Sequence, residues 1–267
     1  MQQPVLSFDR VTVRFETQAV LDRVTFSLVA GETRIMLGEA GSGKTVLLKT
    51  ALGLVQPESG TVALFGQDIA GLKERELFDV RARVGMLFQE GALFDSSTVE
   101  ENVAYPLLNR SVDGVKPEQF PEIEKRVLRA LEFVELGQTL EKYPSELSGG
   151  MRRRVGIARA TVTEPPFVLY DSPTAGLDPI TANTIMALVV KEREMRNTSA
   201  LIVTHRYQDG QIMANFRYDQ ATGKIYSSPG VPNTFFMVMR DGRLIFEGTQ
   251  QELESSTDAY IRKFVRR

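Results

Sequence analysis

The sequence predicts an α/β fold in which helices cover a mainly parallel sheet. Short apolar runs typical of buried strands alternate with stretches of helical spacing, which is the pattern of a parallel sheet. A glycine-rich loop joins one of these strands to one of these helices, as in folds that bind phosphate groups. The 267 residues are enough to bury a large core within one domain.

The composition excludes several classes of protein. The chain has no cysteine, one histidine, and 32 basic against 34 acidic residues, so its formal net charge is −2. Disulfide frameworks, thiolate metal sites and sites with two imidazoles are therefore excluded. The near-neutral charge disfavours nonspecific nucleic-acid binding, and we expect no nucleic-acid partner. No apolar run approaches the roughly 18 residues of a membrane-spanning helix, and the start lacks the pattern of a secretory signal.

The first third of the chain is predicted to consist mostly of strands. An apolar helix is expected from Thr45 to Leu54, directly after the glycine-rich loop. Four strands are predicted before that loop and two after the helix: Leu6–Phe8, Val11–Phe15, Val24–Leu28, Arg34–Leu37, Thr61–Phe65 and Val84–Phe88.

The middle of the chain, from Gln89 to about Ala160, is predicted to be helical. Pro121 suits the first turn of a helix, where a backbone N–H is not needed. The polar segment Arg110–Phe120 before it is predicted to be a loop. The apolar residues after Pro121 follow at helical spacing and form one stripe: Ile123, Val127, Leu131 and Val134.

Two buried strands are predicted in the last third of the chain. They are Phe167–Tyr170, which runs into Asp171, and Ala200–Thr204. Between them, Asp178-Pro179 is typical of a helix cap and a first helical residue, and we expect that helix to end near Arg196.

The end of the chain is predicted to form two hairpins and a tail. Asp241-Gly242 is a strong turn signal between the strands Phe235–Met239 and Arg243–Glu247. A smaller hairpin is predicted from Phe216–Asp219 and Lys224–Tyr226. The basic residues at the end are interpreted as a solvated tail: Arg262, Lys263, Arg266 and Arg267.

The segment from 38 to 45 matches the phosphate-loop pattern G-x-x-x-x-G-K-[ST] at every position, between a predicted strand and a predicted helix. Glycines let backbone N–H groups converge on phosphate oxygens, and the helix N-terminus adds partial positive charge. Lys44 is expected to reach the β- and γ-phosphates, and Thr45 to hold Mg²⁺. Nucleoside triphosphate binding is therefore predicted for Gly38, Glu39, Ala40, Gly41, Ser42, Gly43, Lys44 and Thr45.

Two further motifs fit a phosphate site. Asp171 ends an apolar strand, and near a phosphate loop such a carboxylate is the natural partner of Mg²⁺. The segment Leu147–Met151 contains a serine and two glycines and opens a predicted helix. A hydroxyl and two backbone amides at a helix N-terminus form a second candidate anion site.

Taken together, the motifs resemble the nucleotide-binding subunit of an ABC transporter. Their order and spacing match that family from about residue 5 to residue 250. In the family's terms, the Walker A loop is Gly38–Thr45, the Q-loop glutamine is Gln89, the signature is Leu147–Met151, the Walker B strand is Phe167–Asp171, the D-loop is Ala175–Asp178 and the switch histidine is His205.

This resemblance implies a single domain over residues 1–267, with a P-loop NTPase (RecA-like) core, an antiparallel β-subdomain and an α-helical subdomain. The core and β-subdomain would comprise residues 1–88 and 161–267, and the helical subdomain residues 89–160. The segment 216–233 is longer than the family usually has at that point. It is interpreted as an inserted, solvated hairpin, with a regulatory or partner contact as the alternative.

The resemblance also implies a site that binds ATP and Mg²⁺ between two head-to-tail subunits, most simply a homodimer. Phe15 would stack on adenine, and Ser148, Gly149 and Gly150 of one subunit would complete the phosphate site of the other. The other implied roles are Mg²⁺ binding by Thr45, Gln89 and Asp171, catalysis by His205 and Gln89 at the γ-phosphate, and dimer contacts by Leu147, Ser148, Gly149 and Asp178.

The function implied is to couple ATP hydrolysis to transport by an integral-membrane permease, from the cytoplasmic face of the inner membrane. Within the family, Gly91–Ser96, Glu101–Leu107 and Met151 resemble the ATPases of Mce-associated (Mla-type) lipid transporters. That finer resemblance implies lipid transport and a partner with an Mce domain.

One residue departs from the family pattern. Ser172 stands where the family has the glutamate that polarises the attacking water, and a serine hydroxyl is not a general base at neutral pH, although it can hydrogen-bond a water. Three interpretations remain open: hydrolysis is slow, another carboxylate such as Glu39 substitutes, or the chain binds ATP with little turnover. We expect reduced rather than absent hydrolysis.

Two functions from other classes also remain open at this point. One is an ABC ATPase that acts without a permease, on ribosomes or in cluster assembly. The translation type usually carries two nucleotide domains, and this chain has one. The other is a nucleotide-sensing module with negligible hydrolysis, which Ser172 keeps open.

Overall fold

Strands and helices alternate along the chain as the sequence predicts. The computed structural model describes residues 3–89, 91–109 and 119–266. Its strands are β1 (Leu6–Phe15), β2 (Gln18–Leu28), β3 (Thr33–Leu37), β4 (Ser59–Leu64), β5 (Gln67–Asp68), β6 (Val84–Leu87), β7 (Phe167–Asp171), β8 (Ser199–Thr204), β9 (Phe216–Asp219), β10 (Lys224–Ser227), β11 (Thr234–Arg240) and β12 (Arg243–Gly248). Its helices are α1 (Lys44–Ala51), α2 (Glu74–Arg81), α3 (Val99–Leu108), α4 (Phe120–Phe133), α5 (Gly149–Thr161), α6 (Pro179–Arg196), α7 (Tyr207–Asn215), α8 (Gln250–Ser255) and α9 (Ala259–Val265).

A six-stranded sheet in the order β12-β11-β3-β8-β7-β6 forms the centre of the molecule. All its strands are parallel except β12, which pairs antiparallel with β11 at one edge. Strands β3, β7 and β8 are buried along their whole length, because both faces of the sheet are covered. The predicted α/β class with a mainly parallel sheet is confirmed.

The two faces of the central sheet are covered by different layers. Successive side chains of a strand point to opposite faces, so Ile35 and Leu37 join one core and Met36 joins the other. The first core contains the apolar faces of α3 to α7 and of the two C-terminal helices. The second is closed by α1, α2 and a separate antiparallel sheet in the order β2-β1-β4-β5.

Several predicted elements differ in extent from the observed ones. The two strands predicted between Leu6 and Phe15 are one strand, which is irregular where Arg10 adopts a φ of 51° and its N–H donates to Thr25 Oγ1 at 2.9 Å. Of the predicted loop Arg110–Phe120, residues 110–118 lie outside the described residues, and Phe120 already belongs to α4. Helix α2 is not among the predicted elements, because it is short and buries only Leu77 and Val80.

The basic residues near the end of the chain are solvated as predicted where the structure describes them, but Arg262 and Lys263 lie on a helix and not in a tail. The N-cap of this helix, α9, is Asp258, which accepts hydrogen bonds from the N–H groups of Tyr260 and Ile261 at 2.7 and 3.2 Å. Ile261 and Phe264, three residues apart, face the core and are buried, while Arg262 and Lys263 lie on the exposed side. The segment is an amphipathic helix of two turns, which was not predicted because charged residues dominate its composition.

The predicted small hairpin is present as β9 and β10, which pair antiparallel with each other in a sheet of their own. The hairpin is fixed to α6, because the Arg193 guanidinium donates to the carbonyl oxygens of Met213 and Phe216 at 2.6 and 2.7 Å. Its outer strand β10 is exposed. In the ranges that the structure describes, no helix has both the length and the apolar character needed to cross a membrane.

Candidate functional site

The site lies at one edge of the central sheet, where four neighbouring parallel strands end. Strands β3, β8 and β7 are followed directly by Gly38, His205 and Ser172, and Gln89 lies two residues after the end of β6. The pairing aligns their ends, since Leu37 lies beside Thr204, Asp171 beside Val203 and Leu87 beside Tyr170. Parallel strands present their carboxyl ends at the same edge, so residues far apart in sequence become neighbours in space.

At two glycines of the phosphate loop, neighbouring atoms lie too close for a residue with a side chain. A Cβ on Gly43 would lie 2.6 Å from the carbonyl oxygen of Val20, and Gly43 has a φ of 103°. A Cβ on Gly38 would lie 2.5 Å from Ser42 Oγ and 2.8 Å from the carbonyl oxygen of Met239. The loop therefore sits tightly against β2 and the end of β11, and its shape is set by packing.

The ammonium group of Lys44 lies inside the loop. Its Nζ donates to the carbonyl oxygens of Gly38 and Glu39, both at 2.8 Å, and lies 3.3 Å from Ser42 Oγ. Burial lowers the pKa of Lys44, and the carboxylates of Asp171 and Glu39 act in the opposite direction. Backbone oxygens therefore hold the Lys44 ammonium group in the loop where phosphate oxygens would bind.

Oxygen ligands suited to Mg²⁺ lie beside the loop. Thr45 Oγ1 donates to Asp171 Oδ2 at 3.1 Å, and Asp171 is only 4% exposed. Gln89 is exposed at the end of a neighbouring strand. A hydroxyl, a carboxylate and a side-chain amide oxygen are the hard ligands that Mg²⁺ prefers, so these residues fit the predicted metal.

The Ser172 side chain points to the carboxylate of Asp171. Its hydroxyl donates to Asp171 Oδ1 at 3.1 Å, and its N–H donates to the carbonyl oxygen of Val203 at 2.9 Å. Its φ of 49° turns the chain sharply away from the strand. Glu39, the other carboxylate considered for a base, is half-exposed and lies 3.7 Å from Lys263 Nζ, on the side of α9.

His205 is exposed, and the backbone before it is anchored to a buried carboxylate. Asp209 Oδ2 accepts hydrogen bonds from Thr204 Oγ1 at 2.7 Å and from Thr174 Oγ1 at 2.6 Å. Burial raises the pKa of the Asp209 carboxyl, and the two hydroxyl donors oppose that rise. Asp209 thereby ties the strand end before His205 to the turn after Ser172. No role is predicted for Asp209 from the sequence, because no motif includes it.

We expect Asp209→Ala to lower the free energy of unfolding by about 2 kcal/mol, because two buried hydroxyl groups lose their acceptor. Urea denaturation of the nucleotide-free protein measures this. Asp79→Ala, on the exposed side of α2, is the control and should change stability by less than about 0.5 kcal/mol. Equal effects of the two substitutions would contradict the anchoring role.

The signature motif lies in the helical layer. Ser148 is the N-cap of α5, and its hydroxyl accepts from the N–H of Met151 at 3.2 Å. A Cβ on Gly150 would lie 2.6 Å from Thr181 Cγ2, so this glycine allows α5 to approach α6. Ser148 and Gly149 are exposed, whereas the Leu147 side chain is buried in the chain's own core. Among the described residues, no hydrogen bond or ion pair joins the signature to the phosphate loop.

Two buried arginines of α5, for which the sequence predicts no role, link the signature helix to the segments that follow β6 and β7. Arg153 donates to the carbonyl oxygens of Phe88 and Ala175 at 3.4 and 3.1 Å. Arg159 donates to those of Gly91 and Ala92 at 2.7 and 3.0 Å. Consecutive arginines on a helix point in different directions, so the run 152–154 was a signal that one of them faces inward.

The remaining predicted residues lie on the exposed rim. Phe15 is exposed and pairs across the β1–β2 turn with Gln18, close to the Val20 carbonyl that touches the phosphate loop. Asp178 Oδ1 accepts from the N–H groups of Ile180 and Thr181, both at 3.0 Å, as the N-cap of α6. Hydrogen bonds from Thr181 hold the pKa of Asp178 below its usual range.

A phosphate loop between a parallel strand and a helix, with a Thr–Asp pair beside it, defines the P-loop nucleotide-binding proteins. A family model described as ABC transporter matches residues 21–175, which is more than half of the chain. The chain belongs to the ABC transporter family and is its ATP-binding subunit, an ABC ATPase. Such subunits bind ATP with Mg²⁺ and act as dimers with membrane permeases.

Several known proteins are similar to the chain over most of its length. The intermembrane phospholipid transport ATP-binding protein MlaF of Haemophilus influenzae is 32% identical over 100% of this chain and 92% of its own. A probable ribonucleotide transport ATP-binding protein, mkl, of Mycobacterium leprae is 33% identical over 96% of this chain and 67% of its own. The dimeric ATP-binding cassette MJ0796, solved with ADP and Pi, has a TM-score of 0.75 at 28% identity and covers 91% of this chain and 98% of its own.

Proposed function

We propose that this chain is the ATPase of an Mla-type lipid transporter, in which ATP hydrolysis drives an integral-membrane permease. The observation that carries the proposal is the similarity to MlaF, which extends over the whole chain and nearly the whole relative. Other relatives, such as mkl, carry names that point to a different substrate, so the cargo is the part of the proposal that needs a direct test.

An apolar groove on the surface supports the permease partner. It has a volume of about 510 Å³ and lies where the helical layer meets the strand end before Gln89. Phe88, Phe94 and Tyr105 line it and are all at least one third exposed. Exposed aromatic side chains around a groove are typical of a surface that receives a helix of another protein. In the family, the helical lobe cradles a short coupling helix of the permease, and this groove fits that helix.

The strand edge supports the proposed roles in ATP binding. The N–H groups of the phosphate loop and the Lys44 ammonium bind the phosphates, and Thr45, Asp171 and Gln89 hold Mg²⁺. When bound, Mg²⁺ neutralises charge on the β- and γ-phosphates. His205 donates a hydrogen bond toward the γ-phosphate. The exposed Ser148 and Gly149 of a second copy close the site, as in a head-to-tail homodimer.

Hydrolysis by this site is slow in the proposed mechanism. The Ser172 hydroxyl donates a hydrogen bond to Asp171, so its lone pairs remain to orient a water, but no group at position 172 can remove a proton from that water. The electrostatic contributions of Lys44 and His205 remain and preserve part of the catalysis.

The proposed complex places the chain on the cytoplasmic face of the inner membrane, bound to the permease. A protein with an Mce domain is the further partner, by analogy with Mla-type systems. The hairpin β9–β10 is proposed to be a solvated surface insertion, because its outer strand is exposed.

The ATPase activity of the complex with its permease should rise when phospholipid is supplied in reconstituted vesicles, and should not respond to small solutes such as ribonucleotides other than the ATP that it hydrolyses. Phosphate release from the purified complex measures this. A response to one of the small solutes and none to lipid would contradict the lipid assignment while leaving the ABC ATPase intact.

A groove variant separates the permease contact from the cargo. Tyr105→Glu places a charge in the groove, and we expect it to abolish co-purification with the permease while ATP binding is retained. Tyr226→Glu, on the exposed hairpin, is the matched control, since both tyrosines are about half-exposed: 48% and 49%. Normal assembly of the Tyr105 variant would place the permease elsewhere.

A further inference from the structure

We propose that Tyr260, on the C-terminal helix α9, is a positioning residue that holds the phosphate loop in the shape that binds ATP. Its hydroxyl accepts a hydrogen bond from the backbone N–H of Glu39 at 3.2 Å and donates one to the carbonyl oxygen of Met239 at 3.2 Å. Glu39 is the second residue of the loop, and Met239 lies in β11. One hydroxyl thus joins the start of the loop to the sheet.

The same residue of the loop is held from three directions. Tyr260 holds its N–H, and Lys44 Nζ donates to its carbonyl oxygen at 2.8 Å. Lys263, one turn after Tyr260 on α9, lies 3.7 Å from its carboxylate. Both the backbone and the side chain of Glu39 are therefore oriented by groups outside the loop's own glycines.

Tyr260 is itself well anchored. Asp258 caps α9 and accepts from the Tyr260 N–H at 2.7 Å, while the buried Ile261 and Phe264 fix the helix to the core. The Tyr260 ring packs edge-on to Phe264 with a centroid distance of 5.4 Å. Because the Tyr260 hydroxyl is held in place by its own helix, its hydrogen bonds restrict the motion of the phosphate loop at Glu39.

The consequence concerns nucleotide binding and not the chemical step. When ATP enters, the Lys44 ammonium must leave the carbonyl oxygens of Gly38 and Glu39 for the phosphates. The Tyr260 bonds are independent of Lys44, so they keep the first turn of the loop in place during that exchange. A loop that is already in shape loses less entropy on binding, and its affinity is correspondingly higher.

Tyr260→Phe tests the inference, because it removes the hydroxyl and keeps the ring. We expect the KM for ATP and the Kd of a fluorescent ATP analogue to rise about fivefold, the factor equivalent to one net hydrogen bond, while kcat changes by less than about twofold. Tyr226→Phe, on the exposed hairpin, is the control and should change neither constant.

Two further measurements distinguish positioning from simple support of the fold. The increase in melting temperature that ATP and Mg²⁺ produce should be smaller in Tyr260→Phe than in the parent, since the affinity is lower. Lys263→Gln removes a half-exposed ion pair with Glu39 and a cation–π contact with the Tyr260 ring, but it leaves both hydrogen bonds of the Tyr260 hydroxyl, so it should have a much weaker effect on affinity. An unchanged Kd for the ATP analogue in Tyr260→Phe would overturn the proposal, even if the melting temperature of the variant is lower.

Discussion

Replacing Ser172 by glutamate is expected to raise ATP turnover by about 100-fold or more, because it supplies the missing general base. The backbone at 172 already turns the side chain off the end of the strand, beside Asp171 and next to the strand that carries His205. A carboxylate there would face the water that attacks the γ-phosphate. The measurement is phosphate release with the permease present, so that dimer closure does not limit the comparison.

Ser172→Gln is the matched control for this experiment. Glutamine has the size of glutamate and can orient a water, but it cannot accept its proton. We expect its rate to stay near that of the parent. If the glutamate variant is no faster than the glutamine variant, Ser172 is not what limits hydrolysis, and the slow-turnover interpretation is wrong.

His205→Ala is expected to lower turnover by about 100-fold while ATP still binds. The side chain is exposed at the end of β8, and removing one preorganised donor from a transition-state charge typically costs that much. The effect should exceed that in ordinary ABC ATPases, since Ser172 leaves few other groups to position the water. Phosphate release gives the rate, and the Kd of a fluorescent ATP analogue gives the binding.

His205→Gln extends the test, because glutamine retains a donor of similar reach. It should recover part of the lost turnover. Unchanged turnover in His205→Ala would contradict its assignment as the switch residue.

The parts of this fold that follow from the sequence are those with strong local signals. The phosphate loop, the buried strand before Asp171 and the Asp178-Pro179 helix start all depend on residue types that few other structures accept. Their meeting at one sheet edge also follows, once the strands are taken as parallel.

The parts that the sequence did not predict depend on contacts between distant residues. In the sequence, Asp209 is not distinguishable from other polar residues. Only the packing of α7 against the sheet brings its carboxylate within hydrogen-bond distance of the Thr174 and Thr204 hydroxyls. No role was predicted for Tyr260, because its helix is short, buries only two large side chains and carries the charged residues that were interpreted as a tail. Local composition cannot reveal such residues, since their partners lie 35 and 221 positions away.

Helix α5 has a mechanical consequence for transport. It begins at the signature serine, has 13 residues and so is about 20 Å long, and Arg153 and Arg159 attach its middle and far end to the segments around Gln89 and Ala92. It is a lever arm. When ATP pulls the signature end toward a second subunit, a tilt of about 10° would carry the far end by about 3 Å. That end lines the aromatic groove, so the permease would receive a displacement and not a chemical signal.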